Sequence, residues 1–184
     1  MDFDRLDNNE LLAFALQAVT TDRDAEAMAM LKTLIERDPG NVFATYLLAA
    51  QHAQLGMMDR AETGFRTVVQ QVPDFPVARF QLGQLLLVKG ANAEAHEILA
   101  PLTTDARALG AYARVLSAIS RDDVPTALAE LEQGLAQPQE IPALEGDMRR
   151  LHDQLQADEV LPAGELPAPG MPSALFLSNY GRGK

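Results

Sequence analysis

Apolar residues recur along this chain at helical spacing, and the helical pattern itself returns every 34 residues. Sliding the sequence against itself by that period sets Ala27 on Ala61 and Ala95, and Ala15 on Ala49 and Gly83. Leu31, Phe65 and Leu99 share one register, and Leu34, Val68 and Leu102 share another. Pro39 falls on Pro73, and Gly56 on Gly90. Many registers holding one period define a repeat, and periods of this size mark stacked supersecondary units. Ala and Leu, strong helix formers, dominate the composition. Val, Ile and Thr never gather into alternating runs, so strands are not expected.

Each unit reads as two helices joined by a tight turn. In the third, Val77 to Lys89 forms the first helix, Gly90 ends it, and Asn92 or a neighbour opens the second. Glycine suits the left-handed position after a helix end, and Asp or Asn caps the next helix by accepting a backbone N–H. The corresponding turns carry Asp22 and Asp24 in the first unit and Gly56 and Asp59 in the second. Small residues at Ala49 and Ala61, and at Gly83 and Ala95, would let paired helices approach closely. Pro39 and Pro73 stop the second helices, because proline lacks the N–H and clashes with the preceding turn.

The stretches 41–76 and 76–99 resemble tetratricopeptide (TPR) repeats of a small bacterial-type protein. Leu82-Gly83, Gly90, Ala95 and the closing Pro73 stand where that family's pattern places them. The chain departs from the pattern in having no Trp, and in placing His52 and Leu86 where a Tyr is usual. The resemblance implies an all-α fold, a right-handed α-solenoid of three clear helix pairs and one degenerate pair. The expected repeats are about 8–41, 42–75, 76–105 and 106–139. The fourth keeps Val115, Ala127, Leu131, Leu135 and Pro138, but its period slips to 32 and its turn, Arg121-Asp122-Asp123, lacks Gly.

Ile141, Leu144, Met148, Leu151 and Leu155 then follow at spacings of 3-4-3-4, with charged residues between them. This predicts one amphipathic helix over about 140–157, suited to cap a solenoid with a polar outer face. A coiled-coil strand is the alternative, although the stripe spans only about two heptads, fewer than the ~3–4 such a strand needs. The expected domain is therefore 1–158. From 159 to 184 a Pro/Gly-rich linker leads to an apolar motif, Leu175, Phe176, Leu177 and Tyr180. That motif reads as a docking element, for a partner or for the chain's own groove, or else as a segment packed on the body or an inert tail.

Charge narrows the partners. Against 26 acidic residues stand 15 basic ones, a formal net charge of −11. Such a surface repels phosphate backbones, so neither nucleic acid nor an anionic membrane is an expected partner. There are no cysteines, which excludes disulfides and thiolate chemistry. The acidic start lacks the basic and apolar run of a signal peptide, and no stretch approaches the ~18 apolar residues of a spanning helix. A cytoplasmic protein is expected.

Catalytic chemistry has little to build on. His52, His96 and His152 fall in three different helices without metal-ligand spacing, and no nucleophile elbow or phosphate-binding loop occurs. His52 reads as a packing residue. The expectation is no enzyme, no metal and no cofactor. In TPR proteins the first helix of each unit lines a concave groove. Carried onto this chain, the resemblance implies a groove of Leu12 and Leu16, then Phe43, Tyr46 and Ala50, then Val77, Phe80, Gln84 and Leu87, about half of them exposed. A groove of this kind suits an amphipathic helix or extended peptide held by a few anchors. The basic clamp by which some TPR domains hold chaperone tails is missing, since Leu12, Leu16, Leu47, Val77 and Gln81 occupy the matching places. The expected function is a protein-binding adaptor or scaffold. Its alternatives are a cytoplasmic chaperone for a secreted or assembly-bound client, by resemblance to small acidic type III secretion chaperones, and a self-regulated module whose tail fills its groove. Oligomeric state is left open.

Overall fold

The computed structural model describes residues 3, 5–139 and 142–157. Among them there is no strand, and nine α-helices follow one another. The chain divides into two compact units, Met1–Phe75 and Pro76–Lys184.

The first unit holds α1 (Asn8–Thr20), α2 (Asp24–Arg37), α3 (Val42–Gln54) and α4 (Met58–Gln71), each packed on the next. A capping box starts α1: the Asp7 carboxylate accepts from the Asn9 and Glu10 amides at 2.8 and 2.9 Å, and Glu10 accepts from the Asp7 amide at 2.9 Å. Asn41 caps α3 by accepting from the Ala44 amide at 3.0 Å. Asp38 and Val72, each directly before a proline, leave the helical region at φ −137° and −132°. The proline ring forbids a helical residue in front of it, and that ends α2 and α4. Leu11, Ala15, Leu31, Leu34, Leu47 and Phe65 form the fully buried core. Tyr46 lies among Phe65 and Phe75, with ring centroids 6.1 and 5.0 Å away.

The second unit holds α5 (Pro76–Val88), α6 (Asn92–Leu99), a 3-10 turn (Ala100–Leu102), α7 (Ala108–Ile119), α8 (Val124–Leu135) and α9 (Pro142–Gln156). Its helices also pack in chain order. At eight residues α6 is much shorter than the 14-residue α2 and α4. Pro101 has no N–H to continue the ladder, the chain tightens into the 3-10 turn, and the period slips here. α9 lies against α8 and buries Met148, Leu151 and Leu155. Tyr112 of α7 donates to Gln139 Oε1 at 2.9 Å, while Gln139 Nε2 donates to the Gly134 carbonyl.

The turns inside the pairs differ from expectation. No side chain caps α2, α4 or α6, whose N-cap residues are Arg23, Met57 and Ala91. Neither Asp24, Asp59 nor Asn92 plays that part. A repeated backbone motif does the work instead: Arg23, Met57, Ala91 and Asp123 donate to the carbonyls of Ala18, His52, Leu86 and Ala118, at 2.8 to 3.0 Å. These six-to-one bonds require a left-handed residue between the helices, which is Asp22, Gly56, Gly90 and Asp122 in turn. In the fourth turn Asp123 also accepts from the Thr126 amide at 3.2 Å. Close approach within the pairs also involves other partners than expected. Gly64 of α4 lies directly over Ala49, and Gly83 of α5 under Leu99.

Candidate functional site

First helices of repeat pairs touch neighbours on several sides, and their residues are buried accordingly. In α5, ten of 13 residues are buried. Six of the nine expected groove residues, Tyr46, Ala50, Val77, Phe80, Gln84 and Leu87, are therefore core rather than surface. Leu12, Leu16 and Phe43 keep partial exposure, so fewer than the expected half are reachable. All three belong to the first unit. Leu12 and Leu16, with the half-buried Val19, follow the four-and-three spacing of a single helix face. Phe14, on the flank of α1, is 45% exposed. The tail motif of Leu175, Phe176, Leu177 and Tyr180 lies outside the described residues.

A second feature of the first unit was not anticipated. Helices α2, α3 and α4 enclose an open recess of about 470 Å³ whose wall includes Ile35, Leu48, Ala49, His52, Arg60 and Thr63. Gly64 lines it without contributing a side chain, and Asp59 and Arg60 bring charge to it from the first turn of α4. His52 is 8% exposed, and its Nε2 is buried without a hydrogen-bond partner. Burial holds the imidazole below its ordinary value of 6.5, and the nearby cations Arg60 and Lys32 add to that effect.

The other histidines serve differently. His96 Nδ1 accepts from Ser117 Oγ at 2.7 Å and from Arg121 at 3.1 Å, while Arg121 also donates to Ser117 Oγ at 3.0 Å. With Nδ1 accepting, a neutral ring carries its proton on Nε2. A serine on an imidazole has the components of an activated nucleophile. Here Ser117 is 4% exposed and its hydroxyl is held by a guanidinium, so the trio fastens α6 to α7. Its members lie 21 and 25 residues apart, a separation without any local sequence signal. His152 of α9 lies 3.4 Å from Asp153. Among the described residues no group of His, Cys, Asp and Glu could hold a metal ion, and no helix is long and apolar enough to cross a membrane.

The sequence matches no family model and no curated protein. Among solved structures the chain is similar to MamA, a protein of TPR-like fold. Against a MamA RS-1 ArsTM double mutant the identity is 19% and the TM-score 0.61, with 95% of this chain and 97% of that chain covered. Against MamA residues 41 to the end, from Desulfovibrio magneticus RS-1, the identity is 18% and the TM-score 0.61, covering 96% and 97%. At this identity the likeness shows the fold: all-α, of the TPR-type helix-pair solenoid class.

Proposed function

We propose that this chain is a non-enzymatic protein–protein interaction module of small bacterial TPR type, an adaptor that holds a segment of a partner protein. The observation that carries this reading is the half-exposed apolar face Leu12, Leu16 and Val19 on α1, with Phe14 and Phe43 also reachable in the same unit. A few apolar anchors in reach of solvent are what an amphipathic helix or extended peptide engages. In this reading Leu12, Leu16 and Phe43 touch the partner, while Tyr46, Ala50, Val77, Phe80, Gln84 and Leu87, all buried, do not. A cytoplasmic setting remains part of the proposal.

The test is photo-cross-linking of the full chain in its source cell, with a benzophenone amino acid at Phe14 or Gln17 on α1 and, as control, at Glu132 on α8. A discrete adduct from the α1 positions, lost when Leu12 and Leu16 are replaced by Ser without loss of helix, supports the adaptor. A client that stays soluble only while bound would make the module a chaperone. An intramolecular adduct to residues 175–180 would make it self-regulated. Adducts equal at α1 and at the control position would overturn the reading.

A further inference from the structure

In every pair a turn amide donates to the same carbonyl of the first helix, that of Ala18, His52, Leu86 or Ala118, which fixes a common register even where the period slips. Directly before these residues stand Gln17, Gln51, Leu85 and Ser117, and one helical turn earlier Ala13, Leu47, Gln81 and Ala113. In α3, α5 and α7 none of them is more than 4% exposed, whereas Ala13 and Gln17 of α1 are exposed. Ser117 shows what this face meets: its hydroxyl lies 2.7 Å from His96 Nδ1 on α6, the second helix of the preceding pair. In the first unit α2, also the second helix of a preceding pair, packs on α3. Among the described residues no helix precedes α1. Its face of Ala13 and Gln17 therefore has the register of an interior helix without the cover, and Phe14 beside them is 45% exposed. Leu12, Leu16 and Val19 are likewise half-buried where Tyr46, Ala50 and Ala53 are at most 1% exposed.

We propose that the partner segment held by α1 is an amphipathic helix with basic residues towards both ends, packed on α1 as α6 packs on α7. The inference rests on the reading of α1 as the partner-binding helix and adds the partner's chemistry. The shape comes from the repeat, because this register of the first helix takes a second helix in the pairs that have one before them. The 13 residues of α1 offer such a helix a track about 20 Å long. The charge comes from the ends of that track. No charged residue lies from Leu11 to Thr21, while Asp7 and Glu10 stand before this stretch and Asp22 and Asp24 after it. Arg23, in the same turn, is paired with Glu26 at 2.7 Å. The negative end of the α1 dipole adds to Asp22 and Asp24. A segment that is apolar in its middle and cationic at both ends complements this pattern. A second copy of α1 does not, since it would set acid against acid between two chains of net charge −11. A solenoid end that stays in solvent presents a polar outer face, and Ala13 and Phe14 do not supply one.

The experiment is a methyl NMR titration of the isotope-labelled full chain with three peptides of about 16 residues, long enough to form a helix. Each carries Leu and Ala on one face and Gln on the other. The first has a pair of Lys at each end, the second a pair of Glu, and the third is the first with a central Pro. The Lys peptide is expected to shift the Ala13 and Leu16 methyl signals saturably and to gain helical circular dichroism. The Glu peptide should bind about tenfold more weakly, since attraction at exposed ends is exchanged for repulsion. The Pro peptide, whose helix is broken, should lose at least about as much. Ala13→Arg, at an exposed position, sets bulk and a like charge under the peptide and abolishes the shifts. Asp22→Asn combined with Asp24→Asn narrows the preference for Lys over Glu. Equal binding of the Lys and Glu peptides, undiminished binding of the Pro peptide, shifts that survive Ala13→Arg or a preference unchanged by the Asn pair overturns the proposal. Cross-linked adducts at α1 would stand through any of these results, so the adaptor reading fails separately. A dimer that weakens in Phe14→Ser puts a second copy on α1. Ala13 signals that move on Leu175→Ser with Phe176→Ser put the chain's own tail there, and either finding overturns the partner helix.

Discussion

Asp122 holds at φ 57° the left-handed backbone position that Gly90 holds at φ 75° one helix pair earlier. Asp22 does the same at φ 55° in the first pair, and Gly56 at φ 72° in the second. A side chain at such an angle brings Cβ against the following carbonyl, a cost of about 1–2 kcal/mol that glycine avoids. Glycine gives back about 0.5–1 kcal/mol through its freer unfolded chain. Asp22→Gly and Asp122→Gly are therefore expected to stabilise the protein by about 0.5 kcal/mol each. Gly56→Ala and Gly90→Ala should each cost about 1 kcal/mol, although nothing lies within 4 Å of a Cβ built at either position. Urea unfolding of the four variants reads the signs directly.

Two buried tyrosines should answer the same substitution in opposite directions. Tyr112 donates to Gln139, and Tyr112→Phe removes that bond at a cost of about 1 kcal/mol. The Tyr46 hydroxyl is buried with no partner among the described residues. Tyr46→Phe removes a polar group that has lost its water and gained nothing, so it should be neutral or stabilising by up to about 1 kcal/mol. Burial pushes Tyr112 from 10.0 up to about 12. Its contribution is complete below the unfolded value and disappears as the pH climbs through the folded one. Alkaline unfolding between those values should be less steep in Tyr112→Phe.

Gly64 and Ala49 form the tightest point of the α3–α4 pair, where a Cβ on Gly64 would lie 2.6 Å from the Ala49 Cβ. Gly64→Ala gains about 1 kcal/mol of helix propensity. Forcing two packed helices apart costs about 1–3 kcal/mol, so net destabilisation is expected. Ala49→Gly removes the atom that clashes, and the double variant should recover much of the loss. A double-mutant cycle measures that coupling, and strict additivity would refute the contact as the cause.

The helix-pair architecture was legible because the period of small and apolar residues is set by packing, and packing constrains many positions at once. Glycine punctuation located the second and third turns. It is silent for the first and fourth, where Asp22 and Asp122 take the left-handed backbone angle themselves. The sequence pattern could not separate groove from core, since Tyr46 and Phe80 are apolar at helical spacing whether they face solvent or a neighbouring helix. His52 was read as packing because its partners in space, Arg60 and Thr63, are spread along the next helix, and an orphan nitrogen has no signature in sequence.

That histidine yields the prediction in which direction matters most. Burial, then Arg60, then Lys32 hold the His52 imidazole below 6.5 in the folded protein. As the pH falls from 6.5 towards the folded value, the unfolded chain takes up a proton that the native chain does not. Stability is therefore present above 6.5 and declines through that window. Asp147, which burial raises above 3.8, acts in the opposite sense at lower pH, so only a difference between variants isolates the histidine. His52→Leu, which copies Leu86 of the next pair, should lose less thermal stability than the parent between about pH 7 and pH 5. Arg60→Gln should keep the decline but narrow it, because one of the two cations that oppose protonation is gone. An NMR titration of the His52 ring should then read a higher pKa in Arg60→Gln than in the parent. If the two values coincide, Arg60 does not act on the ring, and the electrostatic account of the recess fails with it.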